Sequence, residues 1–194
     1  MEAIVRRRAE LRAELALVVA SREDAAGLDV AREHKVPTAV LEGRAFESRA
    51  AFDEALHALL VEQRIDFVVL AGFMRILTDG FVARWTGRMV NIHPSLLPSF
   101  PGLHAQRQAL QRGAKVAGCT VHFVEPGEVD GGAIIAQAVV PVYPDDTEET
   151  LAARIQVEEH RIYPESLRAL FDGRLWLEDG RVCARDRDAV VPIS

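Results

Sequence analysis

Two short, uninterrupted apolar runs limit the folds open to this chain more than any other feature: LALVVA at residues 15–20 and FVVLA at residues 67–71. Each is too short for a core helix and lacks the alternation of a half-solvated strand, so each reads as a strand buried on both faces. Helical patterning fills the space between them, at residues 25–34 and again at 49–63. In the second stretch Phe52, Leu56, Leu59 and Leu60 fall on one side. A further strand is expected at 37–41. Strands alternating with helices predict an α/β fold, a mostly parallel sheet flanked by helices, with ligands at the carboxyl ends of the strands.

The remainder extends the same pattern. A helix is expected over 2–14 and a strand at 89–92, closed by a loop containing Pro94, Pro98 and Pro101. A helix at 104–112 and strands at 120–124 and 134–140 follow. A long helix over 147–170 opens at a capping-type Thr147 and is interrupted at Pro164. The chain ends in a β-hairpin, 175–177 with 182–184, around Asp179-Gly180. No repeat or linker divides it, so residues 1–194 read as a single domain.

Charge and cysteine usage narrow the function. The chain has 23 basic and 29 acidic residues, a formal charge of −6. Such a chain has no bulk attraction for nucleic acid or an anionic membrane, so an anionic ligand needs a local site. No apolar run approaches the ~18 residues of a membrane helix, and no signal peptide is evident, which predicts a cytoplasmic protein. Cys119 and Cys183 have no metal-ligand spacing and form no disulfide framework; both are expected as buried thiols.

Two segments carry chemistry. On a strand, Asn91 and His93 project from one face while Val90 and Ile92 face the other way. Asn supplies an amide donor for a developing oxyanion, and His a proton donor near neutral pH, a combination suited to acyl transfer. A hydrogen-bonded strand end is the competing reading. Asp130-Gly131-Gly132 is either a plain turn or a loop that brings a carboxylate and bare backbone close to a ligand. A carboxylate beside His93 would favour its imidazolium form. His122 alternates with Val121 and Phe123 and reads as structural, His104 as an element of the Pro-rich loop, and His34 and His57 as surface residues.

Taken together, the segments resemble one family. Asn91-Ile92-His93-Pro94-Ser95-Leu96-Leu97-Pro98, Phe100-Pro101-Gly102-Leu103-His104, Val121-His122-Phe123-Val124 and Val129-Asp130-Gly131-Gly132 are similar to motifs of the phosphoribosylglycinamide formyltransferases. Ala71-Gly72-Phe73-Met74-Arg75-Ile76-Leu77 upstream, and Gln156, Glu159-His160 and Ile162-Tyr163-Pro164 downstream, extend the likeness to about Gly173. The resemblance implies a Rossmann-like formyltransferase fold. It also implies metal-free transfer of a formyl group from 10-formyltetrahydrofolate to the amine of phosphoribosylglycinamide in purine synthesis, through a tetrahedral intermediate. By resemblance, Asn91, His93 and Asp130 are catalytic, and Asp130 tunes His93. Arg49, Met74, Arg75, Ile76, Leu77 and Asn91 contact the folate, with Val124 and Val129 in the opposite wall. Gly72, Pro94, Gln156 and Glu159 meet the other substrate.

The resemblance also sets expectations about what departs from the family. Its members begin with a strand and a Gly-x-Gly-Ser-Asn-type turn that holds a phosphate, and Met1-Glu2-Ala3-Ile4 matches the helix after that turn. The first strand is therefore expected to be missing through N-terminal truncation, leaving a chain that binds its phosphorylated substrate poorly and turns over slowly. The alternatives are a 10-formyltetrahydrofolate hydrolase and a folate-binding protein of low activity. Small-molecule partners and a monomer or weak homodimer are expected.

Overall fold

The computed structural model describes residues 1–189. In chain order the first half runs α1 (Glu2–Arg6), β1 (Val18–Ala20), α2 (Ala26–Glu33), β2 (Thr38–Val40), α3 (Arg49–Glu62), β3 (Val68–Leu70) and α4 (Asp79–Arg84). The second half runs β4 (Met89–His93), α5 (Ala105–Gln111), β5 (Val116–Phe123), β6 (Ile134–Pro141), α6 (Glu148–Phe171), β7 (Leu175–Glu178) and β8 (Arg181–Ala184). The α/β class, the flanking helices and the C-terminal hairpin are those expected. In the hairpin turn Asp179 and Gly180 both take positive φ, 50° and 70°, the twist that a two-residue connection requires.

The main sheet has the order β3-β4-β5-β6. Parallel pairing joins β3 to β4, and β1 to β2 in a separate two-stranded sheet. β5 and β6 add antiparallel neighbours, β5 returning alongside β4 and the loop at 124–133 turning the chain back again. Among the described residues no strand bridges β1 and β3. For that reason β1 and β3, read from sequence as buried on both faces, are half-buried, as is β2.

Two apolar layers enclose the main sheet. On one side Leu151, Ile155, Ile162 and Leu167 of α6 pack on Val90, Cys119, Val121, Phe123, Ala136 and Ala138. Thr147 and Thr150 form a reciprocal capping box at the start of α6, and buried Pro164 lies within the helix without ending it. Tyr163 Oη donates to the Leu70 carbonyl at 2.6 Å, with the Val90 carbonyl a second acceptor at 3.2 Å, so α6 is tied to both parallel strands. On the other side Phe52, Leu56 and Leu60 of α3 and Phe81, Val82 and Trp85 around α4 pack on Met89.

The helix expected over 2–14 stops at Arg6, because only Ile4 and Val5 bury against the core and no apolar stripe continues beyond them. α4, six residues capped by Thr78, was not anticipated. His34 and His57 are half-buried rather than surface residues: His34 Nδ1 donates to the Val30 carbonyl, and the His57 ring lies edge-on to Phe81 and Trp85. Cys119 is a buried thiol, its pKa pushed up to about 12 by burial, whereas Cys183 on β8 is only half-buried. No helix among the described residues is long and apolar enough to cross a membrane.

Candidate active site

The alternation along β4 creates the site. Val90 and Ile92 turn into the layer under α6, so Met89, Asn91 and His93 face the α3/α4 side. Register then places polar partners beside them, with Asn91 opposite His122 and His93 opposite Thr120, while Thr120 also faces Gln137 of β6. One face of the three-stranded segment is thus apolar and the other carries a row of polar side chains. A buried polar row of this kind needs its hydrogen bonds satisfied.

The bonds are made. Thr120 Oγ1 donates to the Ser95 carbonyl at 2.6 Å and accepts from Leu97 N–H and Gln137 Nε2, each at 3.0 Å. These contacts hold the start of the Pro-rich loop against β5. At the other end of the loop Gln108 Nε2 donates to the Pro101 and Leu103 carbonyls. His104, expected to order this loop, is exposed, and its side chain makes no capping bond to α5.

His93 is buried, with both ring nitrogens facing oxygens. Nδ1 lies 3.2 Å from Asp130 Oδ2, and Nε2 lies 2.9 Å from the Phe100 carbonyl. Asp130 reaches this position from the far loop in a left-handed conformation, φ 56°, and its Oδ2 also accepts from Gly102 N–H at 2.7 Å. Gly132 makes the approach possible: its φ is +106°, and a Cβ there would lie 2.3 Å from the Phe123 carbonyl oxygen.

His122, read from sequence as structural, lies opposite Asn91 on the polar face of the sheet. It is buried, and burial holds its pKa below the usual imidazole value, so the ring is neutral. Nδ1 sits 2.9 Å from the Phe123 carbonyl, which can only accept, so the proton is on Nδ1 and Nε2 is left as an acceptor. Nε2 faces Asn91 Nδ2 at 3.4 Å, which orients the Asn91 amide with its NH₂ inward. The 3.8 Å approach of Nε2 to Asp130 Oδ1 brings two acceptors together and is not an ion pair. Strand alternation alone signalled that His122 leaves the apolar face; its place beside Asn91 required the register.

The other predicted residues fall into three groups. Met74, Arg75, Ile76 and Leu77 follow β3, beyond Gly72 with φ +69°. Leu77 packs in the same apolar cluster as Val124, whereas Met74 and Ile76 are 74% and 57% exposed and Val129 is 51% exposed. Arg75 lies over the Phe52 ring at 4.5 Å, close against Gly43, and its buried Nε has no hydrogen-bond partner among the described residues. Arg49 is the first residue of α3 and is exposed. Gln156 and Glu159 are on α6, Gln156 exposed and Glu159 half-buried with its pKa raised by burial. No hydrogen bond among the described residues joins either one to the Asn91–His93–Asp130 group. Pro94 lines a cavity of about 310 Å³ behind the Pro-rich loop, with Phe100, Ala109, Lys115 and Ala117; neither Asn91, His93 nor Asp130 reaches it. Among the described residues no group of three or more His, Cys, Asp or Glu side chains could hold a metal ion.

Comparison with known proteins points one way. The family described as formyl transferase matches residues 3–167. The chain is 46% identical over 172 residues to phosphoribosylglycinamide formyltransferase of Escherichia coli (strain K12), covering 85% of this chain and 81% of that protein. It is 48% identical over 172 residues to the trifunctional purine biosynthetic protein adenosine-3 of Bos taurus, covering 88% of this chain but spanning only 17% of that much longer protein. Among solved structures it is similar to glycinamide ribonucleotide transformylase 1 from Symbiobacterium toebii, with a TM-score of 0.91 and 49% identity over 95% of this chain and 88% of that one. A formyltetrahydrofolate deformylase from Pseudomonas syringae is more distant, at 28% identity and a TM-score of 0.85, covering 95% of this chain and 61% of that one.

Proposed function

The chain belongs to the formyl transferase family, and from that membership we propose that it transfers a formyl group from 10-formyltetrahydrofolate to the amine of phosphoribosylglycinamide, a step of purine synthesis. The observation that carries this reading is the convergence of an amide, an imidazole and a carboxylate from β4 and the 124–133 loop. Asn91 and His93 share the polar face of the sheet; Asp130 lies 3.2 Å from His93, and Asn91 bonds His122, whose ring lies 3.8 Å from Asp130.

The surroundings fit a folate. The exposed apolar side chains of Met74, Ile76 and Val129 suit a flat ring system, and half-buried Leu77 and Val124 give it a floor. Arg75 keeps an unpartnered buried Nε, and Arg49 offers a second cation for the carboxylates of a glutamate tail. The folate supplies the formyl carbon.

The protein's residues act on the charge that develops during transfer. Attack by the substrate amine builds negative charge on the formyl oxygen. The Asn91 amide, held NH₂-inward by His122, and the His93 Nε2–H, which must turn from the Phe100 carbonyl to the oxyanion, are its donors. Asp130 holds the ring from Nδ1 and takes the proton shed by the amine; collapse of the tetrahedral intermediate then breaks the bond from the formyl carbon to the folate nitrogen, which accepts that proton as tetrahydrofolate leaves. Deleting one oxyanion donor costs on the order of 100- to 1,000-fold in turnover. Gln156 and Glu159, with Gly72 and Pro94, are the proposed contacts of the ribonucleotide. Absorbance of the folate product, followed with and without phosphoribosylglycinamide, tests the proposal: turnover that requires the amine supports transfer, and equal turnover without it indicates a hydrolase.

A further inference from the structure

We infer that Asp79 is a positioning residue that sets the width of the folate cleft by holding the 124–133 loop from its far side. The inference rests on the proposed folate reading of that cleft. Asp79 Oδ1 accepts a hydrogen bond from Gly127 N–H at 3.1 Å, across 48 residues of sequence. Gly127 is at the middle of the loop, with φ +102°, and the loop's other fixed point is Asp130, bonded to Gly102 N–H and 3.2 Å from His93 Nδ1. The loop is therefore pinned to both sides of the cleft: to the catalytic strand by Asp130 and to α4 by Gly127.

The α4 attachment is a rigid one. Thr78 N–H donates to buried Asp53 Oδ2 at 2.7 Å, and Thr78 Oγ1 caps the helix at Phe81 N–H. Phe81 and Val82 lie in the apolar cluster that also holds Leu77 and Val124. Met74, Ile76 and Leu77, immediately before Thr78, thus form one unit with Asp79. A bond from Asp79 to the loop fixes the distance between this wall and Val129 on the opposite one. The loop's own charged side chains nearby in sequence, Glu125 and Glu128, carry the same sign as Asp79, and the attachment is made by the backbone N–H of Gly127.

Asp79 is also the first residue of α4, where a negative charge favours the helix. The two roles separate by substitution. Asn keeps the oxygen acceptor and loses the charge, whereas Ala loses both. Positioning predicts that Asp79→Ala raises KM for 10-formyltetrahydrofolate about three- to tenfold, the range for losing one modest hydrogen bond. KM for phosphoribosylglycinamide and kcat should stay within twofold of wild type, and Asp79→Asn should restore the folate KM. The Gly127 amide should also exchange with solvent deuterium faster in Asp79→Ala, and not in Asp79→Asn, a readout that does not depend on formyl transfer. An unchanged folate KM in Asp79→Ala, or Asn and Ala variants that behave alike, overturns the role. If the wild-type chain transferred no formyl group, the proposed function would fail, and exchange at Gly127 would still decide whether Asp79 holds the loop.

Discussion

Replacing Asp130 separates the two jobs its carboxylate performs. Oδ2 accepts from Gly102 N–H at 2.7 Å and faces His93 Nδ1 at 3.2 Å, in a position where little of the side chain reaches water. Asp130→Ala removes both contacts and leaves a backbone N–H and a ring nitrogen unpaired. At about 1–3 kcal/mol for each unsatisfied buried group, moderated by partial access to water, the loss of stability should be about 2–4 kcal/mol. Asp130→Asn retains an oxygen for Gly102 N–H and should cost about 1 kcal/mol or less. Neither variant keeps a carboxylate against His93, so both should lose about 100- to 10,000-fold in turnover, the range for a positioned proton-transfer group. Urea unfolding monitored by circular dichroism gives the stabilities, and steady-state formyl transfer gives the rates. An Asn variant that turns over within tenfold of wild type would refute the catalytic assignment; an Ala variant as stable as the Asn variant would refute the loop-pinning argument.

Other perturbations test separate parts of the account. His122→Phe keeps a ring in place but removes the acceptor that orients Asn91, and kcat should fall by at least about tenfold, since even a partly disordered oxyanion donor is costly. His122 also titrates with a definite sign: its folded pKa lies below the unfolded value near 6.5, so the unfolded chain binds the extra proton, and stability falls as pH drops below about 6.5. Urea midpoints between pH 7.5 and 5.5 should therefore decline less in His122→Phe than in wild type, and equal slopes would contradict the neutral ring. Gly132→Ala forces a Cβ toward the Phe123 carbonyl at a positive φ and should lower stability by about 2–4 kcal/mol, read as a clear drop in melting temperature. Arg75→Met keeps much of the packing on Phe52 but removes the cation. It should raise KM for the formyl-folate about tenfold with little change in kcat, and an unchanged KM would remove Arg75 from the folate site.

What could be read from sequence followed the length scale of the physics involved. α3 was bounded to within a residue because Phe52, Leu56 and Leu60 bury as one stripe on one helix. α6 and the hairpin were legible from a capping threonine and an Asp-Gly turn, both local signals. α4 was not: six residues with Gly80 inside them carry too little periodicity, and its stability comes from Phe81 and Val82 packing on α3. Asn91 and His93 can be assigned to one face from alternation alone, whereas Asp130 stays open between a plain turn and a ligand-facing carboxylate until the resemblance links it to them. His122 beside Asn91 depended on antiparallel register, and Asp79 against Gly127 on a contact 48 residues apart. Neither is encoded within a short window. The splitting of β1–β2 from the main sheet is likewise a pairing property, invisible in apolar runs that look alike.

The fate of the formyl carbon tests the central claim most directly. 10-Formyltetrahydrofolate labelled with ¹³C at the formyl group, incubated with the protein and phosphoribosylglycinamide, can be followed by NMR. If Asn91, His93 and Asp130 together serve formyl transfer, the label appears as the N-formyl group of the ribonucleotide, and the Asn91→Ala and His93→Ala variants each form it far more slowly. Label that accumulates as formate in the wild type, at a rate indifferent to the amine, would contradict the account.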